Sequence, residues 1–446
     1  MPSPDFRALA DMLAADIASG RLAPGSRLPT QRDFAYTVGI APSTASRVYA
    51  ELVRRGLISG EVGRGSYVRT IGEGSTTSVG EPSHAPVDLQ LNFPILPTQD
   101  AELEQILAGF ARQGALSAAF RPIGAAGTRA ARSATADFLA GPNWRPDPAG
   151  IAFTTNGRQA IAASFSALAP PGERIGVEAM TYPAVKWIAA RLGITLVPLA
   201  MDDKGLKPDA ILRAHRAAPL RGIYVQPSLH NPLGVSMDAA RRDEIADLLK
   251  AENLMAVEDV IYGFLCDDAP LSARAPDHVL LVDSLSKRVA PGLTLGFIAG
   301  PPGWSERLVA AVRSGTWAVM GLPLAMGLHI MDEGVVARLV AAKRADAKAR
   351  QAIARSVFDG AMLKADPRAY HAWLELPEPW RAEAFAGAAA RQGIAITPSS
   401  AFAVTPGHAP NAVRLALSPP SHAVLREALL TLRRLMEGGP VESEVE

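Results

Sequence analysis

The sequence predicts an α/β protein in two unequal parts, a small helical module followed by a larger domain built on a mainly parallel sheet. Three observations predict it. Residues 70–86 are small, polar and broken by Gly and Pro, which reads as a linker that no core can form around. Before them lie three helical patterns and two short strand-like runs. After them, apolar runs at Ile151–Thr155, Arg174–Glu178, Ile194–Leu199, Gly222–Gln226, Leu254–Glu258 and Val279–Asp283 alternate with helical patterns, the signature of crossover-connected parallel strands. The expected division is therefore 1–69, 70–86 and 87–446.

At 446 residues, 48% of them apolar, the chain can bury two or three cores, and disorder is excluded. It holds no apolar run long enough to span a bilayer and no basic-then-apolar start, so neither a membrane span nor a secretory signal is expected. The single cysteine, Cys266, allows no internal disulfide and no cysteine-cluster metal site. A cytoplasmic protein without a metal is expected.

In the small module, Phe6, Leu9, Ala10, Leu13 and Ile17 recur at helical spacing, and Gly20 suits that helix's cap. Thr30-Gln31-Arg32-Asp33 has the capping pattern that opens a second helix, closed by Gly39. A third helix, from about Ser43 to Arg55, buries Ala45, Val48, Tyr49 and Leu52 and stops at Gly56. Short strands near Gly56–Ser59 and Ser66–Arg69 flank a glycine-rich hairpin at 60–65.

This succession is that of a winged helix-turn-helix, whose third helix enters the major groove. Ser43, Thr44 and Arg47 at its start would reach phosphates or base edges; Arg32, with Arg64 and Gly65 of the wing, completes the candidate DNA contacts. Residues 1–71 carry nine arginines against six acids, a modest excess that by itself favours a solvated docking domain. The motifs decide. Gly-Arg-Leu-Ala-Pro-Gly-Ser-Arg-Leu-Pro-Thr-Gln-Arg-Asp-Phe-Ala (20–35), Ser43-Thr44-Ala45-Ser46-Arg47-Val48-Tyr49 and Gly63-Arg64-Gly65-Ser66-Tyr67-Val68 closely resemble GntR-type winged helices. Pro42 departs from them, standing where a basic residue is common.

In the larger part, one of only eight lysines follows a strand directly, in Val282-Asp283-Ser284-Leu285-Ser286-Lys287. A lysine among hydroxyls at a strand end is a candidate Schiff-base former, with Ser284 and Ser286 binding phosphate; a surface-turn lysine is the alternative. Asp259, ending another strand, suits a pyridinium nitrogen, and Asn231 and Tyr262 suit a phenolate oxygen. Thr155-Asn156-Gly157-Arg158-Gln159 joins a strand to a helix, so its N–H groups can cradle phosphate. Tyr182 can stack on a ring, and Arg414 can grip a carboxylate with two hydrogen bonds.

Those segments, with His230-Asn231-Pro232-Leu233-Gly234 and Ser286-Lys287-Arg288-Val289-Ala290-Pro291-Gly292-Leu293, resemble fold-type I aminotransferases of the aspartate aminotransferase superfamily. The resemblance implies pyridoxal 5'-phosphate, with Lys287 as the aldimine lysine and catalytic residue, and Asp259 on the ring nitrogen. It also implies Asn231 and Tyr262 on the phenolate, Tyr182 stacking, Gly157, Arg158, Gln159, Ser284 and Ser286 near the phosphate, and Arg414 on a carboxylate. Two departures stand out. Thr294 replaces the phosphate-binding arginine usual after Pro-Gly-Leu, with Arg288 the expected substitute, and Phe120-Arg121-Pro122 lacks a tyrosine that these enzymes lend to a neighbouring subunit.

A GntR-like reader joined to an aminotransferase-like domain resembles the MocR subfamily of bacterial regulators. The resemblance implies a head-to-tail, domain-swapped homodimer that binds operator DNA and senses an amino compound by exchange at Lys287. A flexible linker of this length averages roughly 22 Å end to end, enough to permit the swap. A catalytically active aminotransferase with an accessory DNA-binding module is the alternative.

Overall fold

The computed structural model describes residues 5–440 except 19–20, 23–25, 55–56, 62–64, 69–82, 113–114, 122, 142–143, 316–320, 333, 359 and 361. Helices α1 (Phe6–Ala18), α2 (Gln31–Val38) and α3 (Pro42–Arg54) precede an antiparallel pair, β1 (Ile58–Glu61) and β2 (Gly65–Val68). Thr30 caps α2 by accepting from the Asp33 N–H at 3.2 Å. Gly39 ends it at φ +68°, a left-handed conformation that favours glycine. The core is the expected one, with Leu9, Ala10 and Leu13 of α1 packed on Ala45, Val48, Tyr49 and Leu52 of α3.

Two boundaries differ from the sequence reading. Helix α3 begins at Pro42, whose fixed φ suits a first helical position where no N–H is needed. The first strand begins later than expected because the Leu57 N–H still bonds the Leu52 carbonyl, at 3.0 Å, and closes the helix first. Gly20, Gly56, Arg64 at the wing tip and most of the linker lie outside the described residues.

The larger sheet comprises β3 (Ile151–Thr154), β4 (Arg174–Glu178), β5 (Thr195–Leu199), β6 (Gly222–Val225), β7 (Met255–Asp259), β8 (Val279–Ser284) and β9 (Gly296–Ala299). Its order is β3-β9-β8-β7-β6-β4-β5, parallel except for β9, which runs antiparallel to both neighbours. Sequence patterning missed β9, which its place between β3 and β8 identifies. Helices cover both faces, as a parallel sheet requires. Leu280 and Val282 face the helices α4 (Gly157–Leu168) and 305–315, while Leu281 faces 129–139 and 321–332.

A second sheet, antiparallel throughout, comprises β10 (Leu363–Lys364), β11 (His371–Glu375), β12 (Thr397–Pro398) and β13 (Ala412–Ala416) in the order β10-β11-β13-β12. The long helix 335–357 joins the two cores. Its first turns pack Val335, Val336 and Leu339 under the large sheet, and its last pack Ile353, Ala354 and Val357 under the small one. Among the described residues, no helix is long and apolar enough to cross a membrane.

Candidate functional site

The carboxyl ends of β3, β7 and β8 open onto one cavity of about 260 Å³, where ligands of open α/β sheets bind. Lys287 sits in a one-turn helix (Leu285–Arg288) that Ser284 caps at the end of β8. Its Nζ donates to the Asn92 carbonyl and lies 3.4 Å from the Phe93 ring centroid. Burial, with Arg414 and Arg158 adding to it, holds this amine well below the usual lysine range, which favours the neutral, nucleophilic form.

Behind that helix, buried Lys343 donates to the carbonyls of Lys287 and Val289, at 3.0 and 2.7 Å. Burial carries its pKa down to about 7, with Asp346 opposing. Above pH 7, up to the ordinary lysine range, the unfolded chain therefore holds a proton that the folded chain lacks, and stability rises with pH across that window. Lys343→Met removes this dependence. Denaturant unfolding is expected to show the wild-type lead over the variant growing by at most about 1.4 kcal/mol per pH unit above neutrality. A lead that stays constant with pH would show that Lys343 keeps its ordinary pKa.

Asp259, the last residue of β7, is buried. It accepts from the Tyr224 phenol at 2.6 Å and the Ile261 N–H at 3.0 Å. Burial raises its pKa to about 6 despite those donors. The Tyr262 oxygen accepts from Asn92 Nδ2 at 2.8 Å, which leaves its own proton to donate. Asn231 Oδ1 is buried without a hydrogen-bond partner among the described residues. Because Asn231 lines the cavity, that side chain is left to bond a ligand there.

At the other end of the cavity, Asn156 caps α4 by accepting from the Gln159 N–H at 3.0 Å, and Gly157 and Arg158 open the helix. Gly296 of β9 passes so close that an added Cβ would lie 2.5 Å from the Asn156 carbonyl carbon, so a glycine is needed there. Ser284 and Ser286 line the same space. Arg158 Nε donates to the Tyr182 phenol at 2.9 Å. Arg414 of β13 closes the cavity from the small sheet, with Nη2 donating to the Gln90 carbonyl and, at 3.0 Å, to Thr397 Oγ1. Its Nε has no partner among the described residues, and burial lowers its pKa to about 10.

Two expected residues are elsewhere. Gln159 turns back on its own loop, where its Oε1 accepts from the N–H and hydroxyl of Thr155 at 2.6 and 2.8 Å. Arg288 does not replace the arginine missing at Thr294. Its Nη2 and Nε hold Asp283 Oδ2 at 2.5 and 3.0 Å, with the guanidinium over Phe138. A carboxylate as buried as Asp283 requires a paired cation, and Arg288 is committed to it. Sequence reasoning missed Asn92, Phe93, Tyr224 and Lys343, which no motif marks and which only folding brings to the site.

In the small module Arg32, Ser43 and Arg47 are exposed and Thr44 is half-buried. The Arg47 guanidinium lies 4.0 Å from the Phe6 ring centroid, which orients it while its edge N–H groups stay available. Ser46 donates to Gln31 at 2.6 Å and ties α3 to α2. Gly65 opens β2.

A small module of three helices and a β-hairpin, joined to a large α/β domain with a lysine at its strand-end cavity, has the organisation of a helix-turn-helix DNA-binding module fused to an aminotransferase-like domain. Residues 86–432 match the family "Aminotransferase class I and II", and residues 6–68 match the gntR family of bacterial regulatory proteins. The chain belongs to the aminotransferase class I and II family and, with its gntR-type reader, is a transcriptional regulator of MocR-type architecture.

It is 27% identical to an uncharacterized HTH-type transcriptional regulator, YdeF of Bacillus subtilis, over 97% of this chain and 95% of that one. It is 24% identical to the vitamin B6 salvage pathway transcriptional repressor PtsJ of Salmonella typhimurium, over 89% and 91%. The crystal structure of an archaeal alanine:glyoxylate aminotransferase superposes with a TM-score of 0.72 at 20% identity, over 79% of this chain and 91% of that one, a likeness of fold. The cofactor of the family is pyridoxal 5'-phosphate. The residues here fit it, since unpartnered Asn231 Oδ1, buried Asp259 and the low-pKa Lys287 amine line one cavity with the opening turn of α4.

Proposed function

We propose that this regulator senses a primary amino compound at pyridoxal phosphate attached to Lys287 and transmits the event to its DNA readers within a head-to-tail homodimer. The observation that carries the reading is the convergence of Lys287, Asp259, Tyr262 and Arg414 on one cavity of a chain that also holds a gntR-type reader. When bound, the cofactor supplies an aldehyde carbon that takes a primary amine reversibly and covalently.

The chain's own groups do the rest. Asp259, backed by Tyr224, would hold a proton on the ring nitrogen. Tyr262 would donate a hydrogen bond to the phenolate, and the Asn231 amide, turned by half a rotation, would present an N–H to the same oxygen. Tyr182 would lie against the ring, and Gly157, Ser284 and Ser286 would bind the phosphate. Arg414 offers its unpartnered Nε to an effector carboxylate.

The test is a thermodynamic cycle. Amines are screened by the cofactor's absorbance, and the best ligand is then titrated with and without the DNA upstream of the protein's own gene. Coupling of about 1–3 kcal/mol is expected, roughly a 5- to 150-fold change in either affinity. Arg414→Ala should weaken a carboxylate effector yet leave effector-free DNA binding near normal. Zero coupling with unchanged DNA bending would leave an enzyme joined to a reader. The intact Lys287–Asp259 set favours that second reading, an aminotransferase with an accessory module, and turnover of an amino acid with a keto acid would establish it.

A further inference from the structure

The linker enters the large domain along a stretch that passes over the candidate site. Val87 and Asp88 pair in parallel with Ile394 and Ala395. Leu89 bonds Ala395 and Ala416 through its N–H and carbonyl, at 2.8 Å each, which knits the stretch to β13, the strand that carries Arg414. Three residues on, the stretch reaches the ends of the large sheet's strands. Asn92 Nδ2 donates to the Tyr262 oxygen at 2.8 Å, and the Phe93 ring faces the Lys287 Nζ.

Both groups that an effector engages are bonded to this stretch. Arg414 Nη2 donates to the Gln90 carbonyl and to Thr397 Oγ1, so both of its protons are in use. A carboxylate that grips the Nε edge with two hydrogen bonds needs one of them and competes for it. Lys287 Nζ donates to the Asn92 carbonyl. A primary amine that replaces Lys287 bonds the cofactor's aldehyde carbon as the Nζ bond to that carbon breaks, and its protons pass to Nζ. Nothing is oxidised or reduced, and Lys287 regains the N–H groups that the Asn92 carbonyl accepts. An effector therefore alters what both carbonyls bond, the differential interaction that a conformational shift requires.

Asp88 fastens the stretch to the linker. Its Oδ1 accepts from the Gln90 and Leu91 N–H groups, at 2.7 and 3.0 Å. Its Oδ2 accepts at 2.8 Å from the N–H of Ser83, in the last residues of the linker. One side chain thus holds both the turn that presents the Gln90 carbonyl and the chain that leads to the DNA reader.

We infer that residues 83–93, fastened by the Asp88 carboxylate, carry the effector signal from Lys287 and Arg414 to the linker and its DNA reader. The inference rests on the sensing function proposed above and names the element that transmits it.

The probe is aminooxyacetate, a reactive primary amine with a carboxylate, added to full-length protein loaded with pyridoxal phosphate. Reaction is followed by absorbance, affinity by titration with the DNA upstream of the protein's own gene, and amide exchange at 83–93 by mass spectrometry. In the wild type, DNA affinity and exchange at 83–93 are each expected to change about 5-fold or more on reaction. Asp88→Ala is expected to react at similar concentrations and to bind DNA normally beforehand, yet to change its DNA affinity less than about 2-fold. A variant with wild-type coupling would overturn the inference. So would unchanged exchange at 83–93 in reacted wild type, a result independent of whether the variant folds. Absorbance that does not respond would instead overturn the cofactor assignment, and reacted wild type with unaltered DNA binding would overturn the sensing function.

Discussion

Replacing Lys287 with alanine is expected to abolish the absorption band of the covalently attached cofactor and leave the fold intact. The lysine stands at the end of β8, and among the described residues no other lysine lines the cavity. Lys343, buried behind the site, is turned away, its Nζ committed to the Lys287 and Val289 carbonyls. The variant should still bind pyridoxal phosphate noncovalently, because Asp259, the α4 turn and the hydroxyls of Ser284 and Ser286 remain. Its DNA affinity should stay at the effector-free value and no longer respond to amines. Absorbance spectra of the two proteins, with circular dichroism as the check on folding, decide the matter. A band that survives the substitution would place the attachment at another residue.

Alanine at Arg32, Arg47 and Arg64 together should weaken DNA binding by several orders of magnitude at low salt and flatten its salt dependence. Every arginine removed from a phosphate lowers the slope of log affinity against log salt by about one unit, uniformly across sequences. An arginine removed from a base edge costs roughly 1–3 kcal/mol and relaxes specificity at one position. Arg47 is expected to show the larger single effect, since it stands in the first turns of α3 and Phe6 holds its guanidinium in place. A Phe6→Leu variant should weaken DNA binding less than Arg47→Ala, because it loosens the arginine without removing it. Filter or fluorescence titrations at several salt concentrations measure both quantities. A triple variant with the wild-type slope would rule out DNA reading by this face.

Much of the architecture was legible in the sequence because the signals are local. The capping pattern at Thr30–Asp33, the stripe Ala45, Val48, Tyr49 and Leu52, and the apolar runs of the parallel strands each depend on neighbours a few residues apart. The lysine motif is equally compact, since Ser284, Ser286 and Lys287 share one strand end. Strand β9 was not legible, being identified only by the two strands between which it lies.

The sequence by itself determined the two-part architecture, the GntR-type reader, the aminotransferase-like domain and the residues of its cofactor motifs. Only the tertiary structure decided what each charge does. Arg288 follows the lysine in sequence, but the buried Asp283 of β8, five residues back, claims it. Gln159 sits in the expected turn, but Thr155 engages its side-chain oxygen. Asn92 and Phe93, Tyr224 of β6 and Lys343 of the helix 335–357 reach the site from segments far apart along the chain. A motif records which groups are near in sequence; a buried polar group takes whichever partner folding brings within hydrogen-bond reach, because leaving it unpaired costs more than any local preference supplies.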